Sequence, residues 1–143
     1  EDGGLYVHIQ PGGCHFACGV YHPEPAALTA LRRAMVGKSD LFLDMLARLE
    51  AEGLAPTSDT WLTTLPKGFT DQAETPVADW LKAKSLYVNR SISEIAFLTR
   101  EAADDILAFA RTSAPLLAFI HDALGNPAWR ADARNPPGRL GGI

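Results

Sequence analysis

Apolar and polar positions alternate from the start of the chain. In Leu5-Tyr6-Val7-His8-Ile9-Gln10 and Cys14-His15-Phe16-Ala17-Cys18, every second residue is apolar, and Pro11-Gly12-Gly13 separates the two runs. That pattern predicts a β-hairpin over Leu5 to Tyr21. A two-residue Gly12-Gly13 turn, pairing Pro11 with Cys14, puts Leu5, Val7, Ile9, Cys14, Phe16, Cys18 and Val20 on one face. Tyr6, His8, Gln10, His15 and Tyr21 then occupy the other. A three-residue turn mixes His8 with Phe16 and spoils both faces.

After the hairpin the period changes from two to that of a helix. Pro25 suits a first helical position, Leu28, Leu31 and Met35 form a stripe, and Gly37 ends the run. Ser39 is the expected N-cap of a second helix with Asp40 at its positive end, Phe42, Met45, Leu46 and Leu49 as its stripe and Gly53 as its stop. Trp61 to Leu65 reads as a short strand closed by Pro66, and Pro66-Lys67-Gly68-Phe69 as a turn. Thr75-Pro76 opens a short helix carrying Val77, Trp80 and Leu81, before Ser85 to Arg90 returns to strand character. Thr99 caps the longest helix, with Ile106, Leu107 and Ala110 on its stripe; Pro115 should kink or break it before Leu116 to Leu124 resume and Gly125 ends it.

Together these elements predict an α+β fold. A small antiparallel sheet begins with the N-terminal hairpin and packs on one face against an αα pair and a long C-terminal helix. Residues 1–125 form the domain, and residues 126–143, with Asn126-Pro127, Asn135-Pro136-Pro137-Gly138 and Gly141-Gly142, form a loose tail.

Composition narrows the function classes. The 143 residues suffice for one hydrophobic core, and 47% hydrophobic with 21% charged residues is ordinary for a globular domain. Runs such as Leu116 to Ile120 are too short to cross a bilayer, so no membrane partner is expected. A formal charge of −4 leaves no basic face for nucleic acid. Cys14 and Cys18 lie about 13 Å apart if both are on one strand, too far to bridge. Unpaired thiols without a signal segment point to a reducing cytoplasm.

Two groups of side chains carry candidate chemistry. The polar hairpin face offers His8 and His15, followed by His22 and Glu24. Imidazoles beside a carboxylate are usual ligands of a divalent ion such as Zn or Ca, which lowers the pKa of bound water. On this reading the domain is a metal-assisted hydrolase of a small ester or lactone, with His8 and His15 at the metal and Asp79 as a general base if it is buried. The second group is cationic. Lys67 in its turn, Lys82 and Lys84 at a helix end and Arg90 on a strand could meet a small anionic molecule, with Tyr6 and Tyr21 as further binding residues. The bland alternatives are hydrogen-bonded surface histidines and lysines that complement a helix end. Ser85, Ser91 and Ser93 sit in no nucleophile elbow, and Gly12-Gly13 precedes no helix, so no phosphate loop is present. Binding is the favoured class because no motif demands chemistry.

Four ordered segments are familiar. Leu5 to Gly13, Gly19-Val20-Tyr21-His22-Pro23-Glu24-Pro25, Pro66-Lys67-Gly68-Phe69 and Ala78 to Leu86 together resemble the domain of unknown function 2461 family, over about Gly4 to Gly125. The resemblance implies an α+β fold of mostly bacterial, cytoplasmic proteins with no established activity. Members of that family carry several helices and strands before the hairpin, including an Arg- and Lys-rich strand region, so this chain is expected to be a C-terminal part. The tail after Gly125 departs from the family. An open edge on the hairpin would then favour self-association.

Overall fold

A computed structural model describes residues 3–93 and 101–125. The elements run β1 (Gly4–Gln10), β2 (Gly13–Val20), α1 (Pro25–Gly37), α2 (Ser39–Ala51), β3 (Leu86–Ser93) and α3 (Glu101–Ala123). The strands form one antiparallel sheet in the order β1-β2-β3, so β2 is central. The α+β architecture is the one expected: hairpin, αα pair and long C-terminal helix.

The hairpin keeps its expected faces but shifts its turn. Gln10 pairs with Gly13, which leaves Pro11-Gly12 as the loop, and Ile9 meets Cys14 in place of Phe16. Proline favours the first central position of a type II turn and the second needs positive φ, which Gly12 supplies at 97°. Sliding a two-residue loop by one position on each strand preserves parity, so both faces survive. Cys14, Phe16, Cys18 and Val20 are buried, and Leu86 and Val88 of β3 join them.

Over that face lies α3, with Phe109, Leu116 and Ile120 buried and the Phe109 ring 5.8 Å from Phe16. The helix passes through Pro115 without a break, contrary to the break considered from the sequence. Pro115 is exposed, so the carbonyl it leaves unbonded faces the solvent side of the helix. The expected cap Thr99 lies outside the described residues, as does the tail from Asn126. Helices α1 and α2 pack on α3 through Leu31, Met35, Phe42 and Leu49. Phe42 reaches both Phe119, at 5.2 Å between centroids, and Trp80, at 6.0 Å. Ser39 is the first residue of α2 and makes no cap bond; Lys38 is the cap. The backbone of Lys38 serves both helices, donating to the Ala34 carbonyl and accepting from the Phe42 N–H, each at 2.9 Å.

Between α2 and β3 the sequence reading fails twice. Trp61 to Leu65 is not a strand; the chain pairs earlier and only at isolated bridges, Thr57 with Tyr87 and Trp61 with Ala83. The helix expected after Thr75-Pro76 is a string of turns ending in a single 3₁₀ turn, Trp80–Lys82, because most of its bonds close to the third residue back.

Two glycines allow a contrasting test of the sheet. A Cβ on Gly19, whose φ is 141°, would lie 2.6 Å from the Tyr87 Cα and also strike the Leu86 carbonyl, whereas one on Gly12 meets nothing within 4 Å. Gly19→Ala should therefore lower the melting temperature clearly, the backbone region alone costing about 1–3 kcal/mol before the clash is counted. Gly12→Ala should lose only about 1–2 kcal/mol from its left-handed φ. Equal melts for the two variants would contradict this account.

Candidate functional site

The helices cover one face of the sheet and no described helix covers the other. Alternation along β2 sends His15 and Ala17 to that open face, and β1 adds Tyr6 and His8. From β3 come Tyr87 and Asn89, and Tyr21 follows the end of β2. These side chains line a groove of about 720 Å³. His8 and His15 are direct cross-strand partners, and the His15 Nδ1 lies 3.0 Å from the Ser91 hydroxyl. Tyr21 and Tyr87 bring their ring centroids to 6.0 Å. Among the described residues no acidic side chain lines the groove.

At one end of the groove the chain leaves β2 through His22, the single non-glycine residue with positive φ among the described residues, at 46°. Its N–H donates to the Ser85 hydroxyl at 3.0 Å, and its Nε2 lies 2.6 Å from the Asp59 carboxylate. Ser85 is buried, and its own N–H donates to the Ser58 hydroxyl at 3.0 Å. Thr60 donates its hydroxyl to the same Asp59 oxygen at 3.1 Å. Burial pushes the Asp59 carboxyl up, but hydrogen bonds from Ser85, His22 and Thr60, with the His22 charge, outweigh it. The net result holds Asp59 well below the usual carboxylate range. The Asp59 charge, and a hydrogen bond to it, raise the phenol of Tyr21.

The residues singled out from sequence distribute unevenly. Tyr6, His8, His15 and Tyr21 do meet in the groove. His22 does not join His8 and His15: it lies beyond Val20, five residues and about 16 Å along the strand from His15. Glu24 is exposed next to α1. Among the described residues no group of three or more His, Cys, Asp or Glu side chains comes together to hold a metal ion. Asp79 lacks the burial that a general base there would need, since its side chain is 95% exposed, 3.9 Å from Lys82.

The cationic set also divides. Lys67 stands exposed in its turn, while Arg90 pairs with Phe16 and so falls on the helix-covered side of the sheet. Lys84 lines a separate cleft with His22 and Arg32. Both cysteines are buried and free, and burial raises the Cys18 thiol despite a hydrogen bond with Ser113. That agrees with apolar packing and disfavours a thiolate.

Sequence reading missed Asp59, Ser58, Tyr87, Asn89 and Arg32. Tyr87 and Asn89 were within reach: with Leu86 and Val88 buried, period two sends them to the open face. Arg32 also had a signal, four residues after Leu28 on the flank of the α1 stripe. Asp59 and Ser58 had none, because their partners are 27 to 37 residues distant in sequence.

The depressed Asp59 pKa fixes the sign of a pH effect. Its stabilising contribution is fully present above the ordinary carboxylate value of about 3.9 and is lost as pH falls toward the lower folded value. Thermal melts of the wild type and Asp59→Asn across an acid series should differ most near neutrality and converge below that range. A gap independent of pH would contradict the assignment.

Comparison with known proteins returns no curated protein and no solved structure that matches this chain. One family does match, over residues 1–119, far more than half of the chain. It agrees with the hairpin, turn and Trp80 segments that carry the sequence resemblance, and the chain belongs to that family, described as a conserved hypothetical protein (DUF2461).

Proposed function

We propose that this domain binds a small anionic molecule bearing a ring, in the groove on the open face of the sheet. The observation that carries this reading is the lining: Tyr6, Tyr21 and Tyr87 with His8 and His15, and no acidic side chain among the described residues. A volume of about 720 Å³ falls within the range of small-molecule sites, 300–1,000 Å³. Aromatic rings offer flat apolar contact with few torsions to immobilise. The paired imidazoles supply hydrogen-bond donors and, when protonated, positive charge for a carboxylate. Asn89 adds an amide at the β3 side.

The test is a thermal-shift series with benzoate, phenylacetate and their uncharged alcohols. The aromatic carboxylates should raise the melting temperature, and the alcohols should do less. A ligand at 100 times its dissociation constant stabilises by about 2.7 kcal/mol, a shift of several degrees. His8→Ala and Tyr87→Ala should each reduce the shift. If neither carboxylate moves the wild type, or both the His8→Ala and the Tyr87→Ala variants respond unchanged, the groove is not the site.

The edge of β1 supports pairing with a second copy. Leu5, Val7 and Ile9 are 42%, 44% and 61% exposed, and the seven-residue strand carries no Lys, Arg, Asp, Glu or Pro to discourage a partner. Antiparallel pairing about Val7 sets Leu5 opposite Ile9 and Tyr6 opposite His8, with no like charges juxtaposed. Analytical ultracentrifugation should show a concentration-dependent dimer that Val7→Lys abolishes. A monomer across the accessible concentration range, or a dimer indifferent to Val7→Lys, would refute it.

A further inference from the structure

A second cleft, of about 330 Å³, lies beside the first turns of α1 and is distinct from the groove on the sheet. Arg32 forms part of its lining and is only 8% exposed. Its Nε donates to the Leu81 carbonyl at 2.8 Å and its Nη2 to the Ala83 carbonyl at 3.3 Å. These bonds take two of the five guanidinium N–H donors and leave three.

Neutral carbonyls orient a buried cation but do not cancel its charge. Among the described residues no carboxylate forms an ion pair with Arg32. Burial alone accounts for the lowering of its pKa, with no acidic neighbour to oppose it. An uncompensated buried charge is expensive, so the cleft favours a negative group from outside.

The other walls fit the same ligand. Lys84 lines the cleft, and no carboxylate pairs with it among the described residues. Thr29, three residues before Arg32 on α1, brings a hydroxyl to the lining. His22 closes one side, and its Nε2 is engaged with Asp59 at 2.6 Å. Asp59 itself is occupied by Ser85, His22 and Thr60. Among the described residues no acidic side chain lines the cleft.

We infer that this cleft binds a small oxyanion, held by the Arg32 guanidinium and the Lys84 ammonium, with Thr29 as an additional donor. A planar fork beside a compact point charge is a usual arrangement for phosphate and carboxylate. Arg32 positions the end of the Trp80–Lys82 turn as well as the ligand, so anion binding and the order of that turn are linked.

Inorganic phosphate is the probe, titrated by calorimetry at constant ionic strength against sodium chloride, with acetate as a second arm. Phosphate should bind the wild type, and Lys84→Met should weaken it about tenfold or more. Thr29→Val should weaken it less, and His8→Ala with Tyr87→Ala should leave it unchanged, which separates this cleft from the groove. Tighter binding of acetate than of phosphate would assign the cleft to a carboxylate; the reverse would assign it to a phosphate group. Arg32→Met disturbs the turn it bonds, so Lys84→Met is the decisive variant. Binding no stronger than chloride in the wild type, or binding that survives Lys84→Met unaltered, overturns the inference.

Discussion

The alternation of β2 is the constraint on which the other parts rest. Cys14, Phe16, Cys18 and Val20 point one way and are at most 2% exposed, while His15 and Ala17 point the other. Burying a side chain the size of phenylalanine or valine stabilises by about 1.5–3 kcal/mol, so a one-residue slip of this strand would forfeit several such contributions. Both neighbouring strands take their register from β2 and α3 packs on its apolar side. The αα pair in turn has its surface for packing only because α3 is already seated. The groove is the reverse side of the same alternation, so its histidines and tyrosines are placed by the strand whose other side chains build the core.

What could be read from the sequence follows from that hierarchy. Strand faces and helix stripes are local periodicities: Cys14, Phe16, Cys18 and Val20 of the predicted hairpin face, Leu31 and Met35 of the first stripe and Phe42, Met45, Leu46 and Leu49 of the second all lie in the core, whereas Leu28 is half-buried and Leu5, Val7 and Ile9 on the edge strand stay exposed. The turn was misplaced by one residue because Gly12 and Gly13 both tolerate positive φ; the preference of proline for the position before Gly12 decides it. The stretch from Leu54 to Ser85 was read poorly for a different reason. Its order comes from distant backbone partners, such as the Leu62 N–H on the Lys82 carbonyl at 2.7 Å and the Lys84 N–H on that of Thr60 at 3.0 Å. Propensity made Trp61 to Leu65 look like a strand, but tertiary pairing selected Thr57 and Trp61 as single bridges.

Candidate chemistry was legible to the same extent. His8 and His15 share a face because parity requires it, and the Pro11-Gly12 turn sets them directly opposite, whereas the union of His22 with Asp59 and Ser85 depends on where a long irregular segment returns. Histidines close in sequence were grouped as a metal set, but a strand spreads its residues by about 3.3 Å each, so nearness in sequence became separation in space. The cations failed as a group for a related reason: Arg90 alternates to the covered side, and Arg32, never counted among them, takes its place beside Lys84.

His22 explains why the two recesses lie next to each other. Tyr21 continues the alternation of β2 and turns its ring to the groove, whereas the next residue adopts left-handed φ and delivers its imidazole to the cleft wall. A non-glycine residue in that region costs about 1–2 kcal/mol. The N–H bond to Ser85 and the contact of Nε2 with Asp59 offset this cost; Asp59 lies in the 54–60 segment, and Ser85 is bonded to Ser58 of it. Asp59 meets His22 at this junction, and the recesses are neighbours because one non-glycine residue in left-handed φ separates the side chains of Tyr21 and His22.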